Sequence, residues 1–271
     1  MTRRIAIASQ KGGCGKTTVA LNLGLALAER GVRTLIVDLD PQGGVGHSLR
    51  QDDSALPGLA DVLIGECPLD EAIVQTKLPS LALLTRGRLD AVDVVEFERA
   101  LITPGLLTQI LDAAEAPYDV VILDTPAGLG MPTRAALAAS HFVLIPLQAE
   151  PLALRSVDQI LRVLDHVQEH ENHRLRLLGL LPTMVDRDNS PSLDVLIQSW
   201  RDLSGVLETA IPRADVFIVA SQSGLPLSYL GGARKPESRR FDLLATEVQT
   251  LMDEIDPRET QDVERGARQL L

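Results

Sequence analysis

A strand, a glycine-rich loop, a helix and a second strand follow one another between Arg3 and Asp40, and few folds accommodate that order. "RRIAIAS" (3–9) reads as a strand and runs into "SQKGGCGKTT" (9–18). Thr17 to Arg30 then repeats apolar residues along one helical face and stops at Gly31, a normal C-terminal glycine. "RTLIVDLD" (33–40) is again apolar almost without interruption. Strands of that kind are buried on both faces, so the sheet is mostly parallel and covered by helices.

The same alternation continues. "LALLT" (81–85), "DVVILDT" (119–125), "HFVLIPL" (141–147), "RLRLLGLLPT" (174–183) and "VLETAIP" (206–212) read as further strands. Leu152 to His170 and Ser192 to Leu203 carry helical periodicity, the latter with Ser190 or Ser192 as its cap and Pro191 near its first turn. The predicted fold class is α/β, a doubly wound, mostly parallel sheet flanked by helices. With 271 residues, 45% apolar and 23% charged, one domain over residues 1–255 suffices, followed by a polar tail (256–271) expected to fray or to bind a partner.

Several function classes drop out. No run approaches the roughly eighteen apolar residues of a membrane helix, and the first residues read as a strand rather than a targeting segment. Cys14 and Cys67 cannot build a disulfide framework and suit a reducing compartment, so a cytoplasmic location is expected. A net charge of −11 argues against a positively coated protein, but local patches matter more than totals. Aromatic residues are only 3%, which disfavours base-stacking platforms, so any nucleic-acid binding runs through phosphate contacts.

The decapeptide carries the chemistry. The common phosphate-binding loop is G-x-x-x-x-G-K-[ST]; here Gly15, Lys16 and Thr17 supply its second half, but Gln10 stands at the first glycine. A second lysine, Lys11, precedes a glycine pair. Backbone N–H groups of Gly12, Gly13 and Gly15 are placed to wrap a phosphate at the start of a helix, whose dipole favours the anion. Lys16 is expected on the β and γ phosphates of ATP, and the Thr17 hydroxyl on Mg2+. A ligand-free glycine turn is disfavoured because strand, glycines, Lys-Thr and helix occur together. Asp124 ends one apolar strand, where a carboxylate reaches Mg2+ directly or through water. Asp38 and Asp40 close another, and residues two apart on a strand share a face, so both are expected in the same crevice.

"KGGCGKTT", "DLDPQGG" and "ILDTPAG" resemble the deviant Walker ATPases of the ParA/MinD family, most closely its ParA branch. "IPLQAEPLALRSVDQIL" (145–161), "GLLPTMVDR" (179–187) and "ETAIPR" (208–213) extend the resemblance to about residue 250. It implies a slow, partner-stimulated ATP hydrolase. Lys16 is then the ordinary phosphate lysine, and Lys11 the signature lysine that reaches across a face-to-face homodimer to the partner's ATP. Asp40 positions or activates the attacking water. Asp38 supports the Mg2+ shell and a switch loop, and Asp124 is the second-motif acid, with Thr17 completing the metal set. The nucleotide set is Gly12, Gly13, Cys14, Gly15, Lys16, Thr17 and Thr18, with Pro212 and Arg213 as adenine contacts. "PQGGVGHS" (41–48) and "TPAGLGMP" (125–132) are the two switch segments. Met184 is an adenine candidate ranked below Pro212 and Arg213, a core methionine being the commoner reading, while His47 reads as a surface histidine and Trp200 as core.

Relatives are separable by what is missing. A nitrogenase-type iron protein needs two cluster cysteines per subunit, an iron–sulfur carrier needs Cys-x-x-Cys, and the tyrosine kinases of this lineage end in tyrosine clusters; this chain has only Cys14, Cys67, Tyr118 and Tyr229. The first strand begins near Arg3, so a helix-turn-helix operator reader ahead of it is not expected. Two mechanisms stay open. One is an ATP dimer on double-stranded DNA without sequence preference, released by a ParB-like partner or cargo adaptor that stimulates hydrolysis, with a plasmid, a chromosome or a protein assembly as cargo. Its candidate contacts are Arg234, Lys235, Arg239 and Arg240 in "ARKPESRR" (233–240), which otherwise reads as a solvated helix start. The other is a MinD-like membrane-cycling or scaffold-bound positioning ATPase. Val263, Ala267, Leu270 and Leu271 fall at helical spacing near Arg265 and Arg268, but Gly266, two nearby acids and the absence of aromatics suit an interfacial helix poorly.

Overall fold

The computed structural model describes residues 2–48, 56–150, 153–186, 188–231 and 233–255. Seven strands form one sheet: β1 (Arg3–Ile7), β2 (Thr34–Asp38), β3 (Val74–Gln75), β4 (Leu81–Leu84), β5 (Val120–Asp124), β6 (Phe142–Gln148) and β7 (Arg176–Thr183). Their spatial order is β3-β4-β2-β5-β1-β6-β7, parallel throughout except for the β3–β4 pair. Around them run α1 (Lys16–Glu29), α2 (Gly44–Ser48), α3 (Leu59–Leu63), α4 (Leu69–Ala72), α5 (Val94–Leu101), α6 (Leu106–Ala114), α7 (Met131–Ala138), α8 (Ala153–His170), α9 (Ser190–Asp202), α10 (Val216–Ser223) and α11 (Pro236–Glu254).

The pleat divides the strand residues between two cores. Ile5, Ile7, Ile36 and Ile122 face the layer of α1 and α11, packing with Leu23, Leu27, Phe241 and Leu244. Leu35, Val37, Val121 and Leu123 face the opposite layer, with Phe97 of α5 and Leu107 and Leu111 of α6. On that side of β1 and β6, Ala6, Val143 and Ile145 pack beneath α8. Central strands apolar on both faces are what the sequence leads one to expect. So is the doubly wound arrangement.

One predicted strand is not formed. Residues 206–212 touch the sheet only through isolated bridges, Leu180 with Val206 and Val185 with Pro212. Between them the backbone N–H groups of Glu208 and Thr209 donate to the Glu247 carboxylate of α11, at 2.7 and 3.0 Å. A side chain takes the bonds that a ladder would have used. The helix predicted from Ser192 begins two residues earlier, at Ser190, with Asn189 in the cap position. Trp200 is not core: it is 45% exposed, and its indole N–H donates to the Leu207 carbonyl at 2.9 Å. The polar tail and its helical spacing lie outside the described residues.

Candidate nucleotide site

The C-terminal edge of β1, β2 and β5 builds the site. Register places Ile7 and Asp38 on either side of Asp124, so the ends of three strands lie level. The loop after β1 turns into α1 through Gly13 (φ 72°) and Gly15 (φ 91°), left-handed conformations that a residue with a Cβ adopts only under strain. Gly15 then accepts the first helical bond, from Val19 N–H at 2.8 Å. Two neighbours pin the loop. The Thr183 hydroxyl at the end of β7 donates to the Cys14 carbonyl at 3.0 Å, and Gly128 N–H donates to the Ser9 carbonyl at 3.3 Å.

Three charged side chains converge in the floor. Asp38 and Asp124 are fully buried and Lys16 is 7% exposed. Both oxygens of Asp124 are buried without a hydrogen-bond partner. Burial is the main force that lifts its carboxyl to about 7; the Thr17 hydroxyl and the Lys16 ammonium pull it down, and the Asp40 charge pushes it up. A bare, buried carboxylate facing a threonine hydroxyl is a donor set for a hard cation with oxygen ligands, so Thr17 and Asp124 fit Mg2+.

Asp38 is held differently. Its two oxygens accept the backbone N–H of Asp40 at 3.0 Å and of Val45 at 2.9 Å. Burial first, then the Asp124 charge, raises its carboxyl well above the ordinary range, and those two N–H bonds oppose the rise. Asp38 is thus the anchor of the 40–45 segment, and it meets the metal region through the loop that it shapes. The expectation that Asp38 and Asp40 share a strand face does not hold, because β2 ends at Asp38 and Asp40 already stands in the turn beyond. Asp40 caps that turn, its carboxylate accepting Gln42 N–H at 2.9 Å, while its charge still acts on both buried aspartates. The segment 41–48 is not all loop: α2 takes up Gly44–Ser48, including His47, whose side chain lies outside the description. The other segment, 125–132, is irregular to Gly130 and enters α7 at Met131.

Beside the phosphate loop lies a cavity of about 260 Å³ lined by Cys14, Gly15, Thr18, Met184, Pro212 and Arg213, among others. Arg213 N–H donates to Val185 O at 2.9 Å, holding this turn to the end of β7. Met184, whose commoner reading from the sequence is core, lines the cavity beside Pro212 and Arg213 as its adenine candidacy requires, with a left-handed backbone (φ 54°). Gly12 comes near Ala127 of the loop after β5, where a Cβ would still fit at 3.6 Å. Lys11 is 43% exposed and pairs with Glu150, which is 42% exposed, at 2.5 Å. Sequence reading passed over Glu150, whose signal is the polar "QAE" that ends the apolar β6.

The four basic candidates sit apart from this site, around the start of α11. Arg234 is bound intramolecularly, to Asp242 at 2.8 Å and Glu29 at 3.4 Å. Among the described residues Lys235, Arg239 and Arg240 make no ion pair. No helix of the described residues is long and apolar enough to cross a membrane.

Comparison with known proteins agrees with this geometry. An AAA domain family matches residues 2–177. The chromosome partitioning protein ParA of Caulobacter vibrioides is 40% identical over 261 residues, covering 89% of this chain and 96% of that protein. Among solved structures, cobyrinic acid a,c-diamide synthase from Mycobacterium smegmatis with bound ATP analog and magnesium is 36% identical, with a TM-score of 0.76 over 91% of this chain and 93% of that one. The septum site-determining protein MinD from Pyrococcus horikoshii, complexed with Mg-ADP, is 27% identical with the same TM-score over 94% and 99% of the two chains. The chain belongs to the ParA/MinD family of P-loop ATPases.

Proposed function

We propose that this protein is an ATP-dependent dimerising switch that partitions or positions cargo by cycling on and off DNA in the cytoplasm. The observation that carries the reading is the convergence of Lys16, Thr17 and the unpartnered Asp124 carboxylate beneath a loop that also presents an exposed second lysine, Lys11. One lysine is buried for the protein's own nucleotide; the other faces outward, where a second subunit can offer phosphates. ATP with Mg2+ supplies the γ-phosphoryl group whose loss reports the state of the switch.

The chain's own residues divide the work as follows. Backbone N–H groups from Gly12 to Thr18 cradle the phosphates, and Lys16 holds the β and γ oxygens in a poorly hydrated floor where its charge counts most. Thr17 and Asp124 would hold the cation, which would neutralise charge developing on the phosphates. Asp40, at the rim of the turn anchored by Asp38, orients the attacking water. The cavity bounded by Met184, Pro212 and Arg213 takes the base. Lys11 of each subunit meets the other's phosphates, which gives the dimer differential affinity for the ATP state. Segments 41–48 and 125–132 relax when the γ-phosphate leaves.

DNA binding rests on Lys235, Arg239 and Arg240, which stand around a helix start without ion-pair partners among the described residues and are doubled by dimerisation. A stimulating protein partner ends each cycle. The experiment is binding of the Asp40→Ala protein to random duplex DNA with ATP and with ADP across a salt series. Tight ATP-only binding that weakens steeply with salt is expected; no binding at low salt with the dimer intact overturns the DNA reading.

A further inference from the structure

Glu150 stands two residues beyond the end of β6, where three parts of the site meet. Its Oε2 accepts from the Lys11 ammonium at 2.5 Å. Its Oε1 accepts from the Gln148 amide at 2.5 Å and lies 3.9 Å from the Arg213 guanidinium. Lys11 belongs to the phosphate loop, Gln148 to β6 and Arg213 to the wall of the nucleotide cavity. The carboxylate is therefore fixed on both oxygens by groups from rigid parts of the molecule. A free lysine side chain, by contrast, gives up much rotamer freedom when it is held in one place.

We propose that Glu150 is a positioning residue for Lys11, aiming its ammonium across the face that meets a second subunit. An ammonium has three N–H donors, so one on Glu150 leaves two for phosphate oxygens of the facing nucleotide. Ordering Lys11 before the partner arrives removes part of the entropy cost of association. Arg213 gives the arrangement a second contact at the cavity, so that the same carboxylate touches both the nucleotide wall and the outward lysine. The inference rests on the dimer reading above and adds to it a residue that acts through Lys11 rather than on the nucleotide.

The test compares four proteins in the Asp40→Ala background with saturating ATP and Mg2+: the parent, Glu150→Gln, Lys11→Ala and the double variant. Sedimentation equilibrium reads the dimer constant. Glu150→Gln is expected to weaken the ATP dimer about five-fold, because each exposed ion pair is worth little and two are lost per dimer. It leaves ATP affinity unchanged when measured in the Lys11→Ala background, where dimerisation does not contribute, and there it has no further effect on residual association. A dimer that is unchanged or tighter in Glu150→Gln overturns the assignment. So does an equal loss with and without Lys11. If Lys11→Ala alone leaves the ATP dimer intact, both this assignment and the functional reading fail; if Lys11→Ala breaks the dimer and Glu150→Gln does not, only Glu150 is misassigned.

Discussion

Asp124 and Lys16 show how a few side chains set the conditions of the whole site. Lys16→Ala should lower ATP affinity roughly 100-fold, the loss of about two charge-assisted hydrogen bonds in a dry floor, and calorimetric titration reads it directly. Unchanged affinity would remove Lys16 from the phosphate set. Asp124 gives a pH prediction. Its folded-state value, about 7, is above the ordinary 3.8, so the folded protein holds the proton more tightly than the unfolded chain. That contribution is complete below about 3.8 and is lost as pH rises through 7. Without nucleotide and Mg2+, Asp124→Asn should therefore melt higher than the parent at pH 8. The gap should close towards acid and vanish near pH 3.8. With Mg2+ and ATP the order should reverse, because the cation stabilises the charged carboxylate and not the amide. A pH-independent difference in melting temperature would contradict the account.

At the level of elements, α1 lies so close to β2 that glycine is required at their contact. A Cβ at Gly24 would stand 2.6 Å from Ile36 Cδ1 and 2.9 Å from its Cγ1. Gly24→Ala gains about 1 kcal/mol of helix propensity, yet overpacking costs about 1–3 kcal/mol, so the net should be destabilising. Ile36→Val removes Cδ1 and should recover part of the loss, which urea unfolding of the single and double variants can check. The sequence reveals the strands around Gly24 because their apolar runs answer to burial on both faces. It misleads at 206–212, where an apolar pattern sits on a backbone whose middle N–H groups, at Glu208 and Thr209, go to Glu247, a residue about forty positions away. β3 is only two residues long, too short for any period. The phosphate loop is legible because its conformation needs particular residues at particular places. Glu150 is not, since it matters only through neighbours brought by other parts of the chain. Trp200 stands exposed for a related reason: helical periodicity does not say how far a flanking segment covers the helix.

For the molecule as a whole, charge and symmetry matter most. The net charge of −11 repels DNA at long range, so binding depends on a local patch that dimerisation doubles. Arg239→Ala with Arg240→Ala should lower the slope of log K against log salt by about two per protomer, while ATP affinity stays unchanged. Filter binding or anisotropy at several salt concentrations reads this, and an unaltered slope would place the DNA contacts elsewhere. The most direct measurement is sedimentation of the Asp40→Ala protein with Mg2+ and either ATP or ADP. A stable dimer with ATP and a monomer with ADP are expected, the dimer disappearing when Lys11 is also replaced by alanine. A monomer with saturating ATP, or a dimer indifferent to nucleotide, would contradict the claim that this fold is a nucleotide-driven dimer switch.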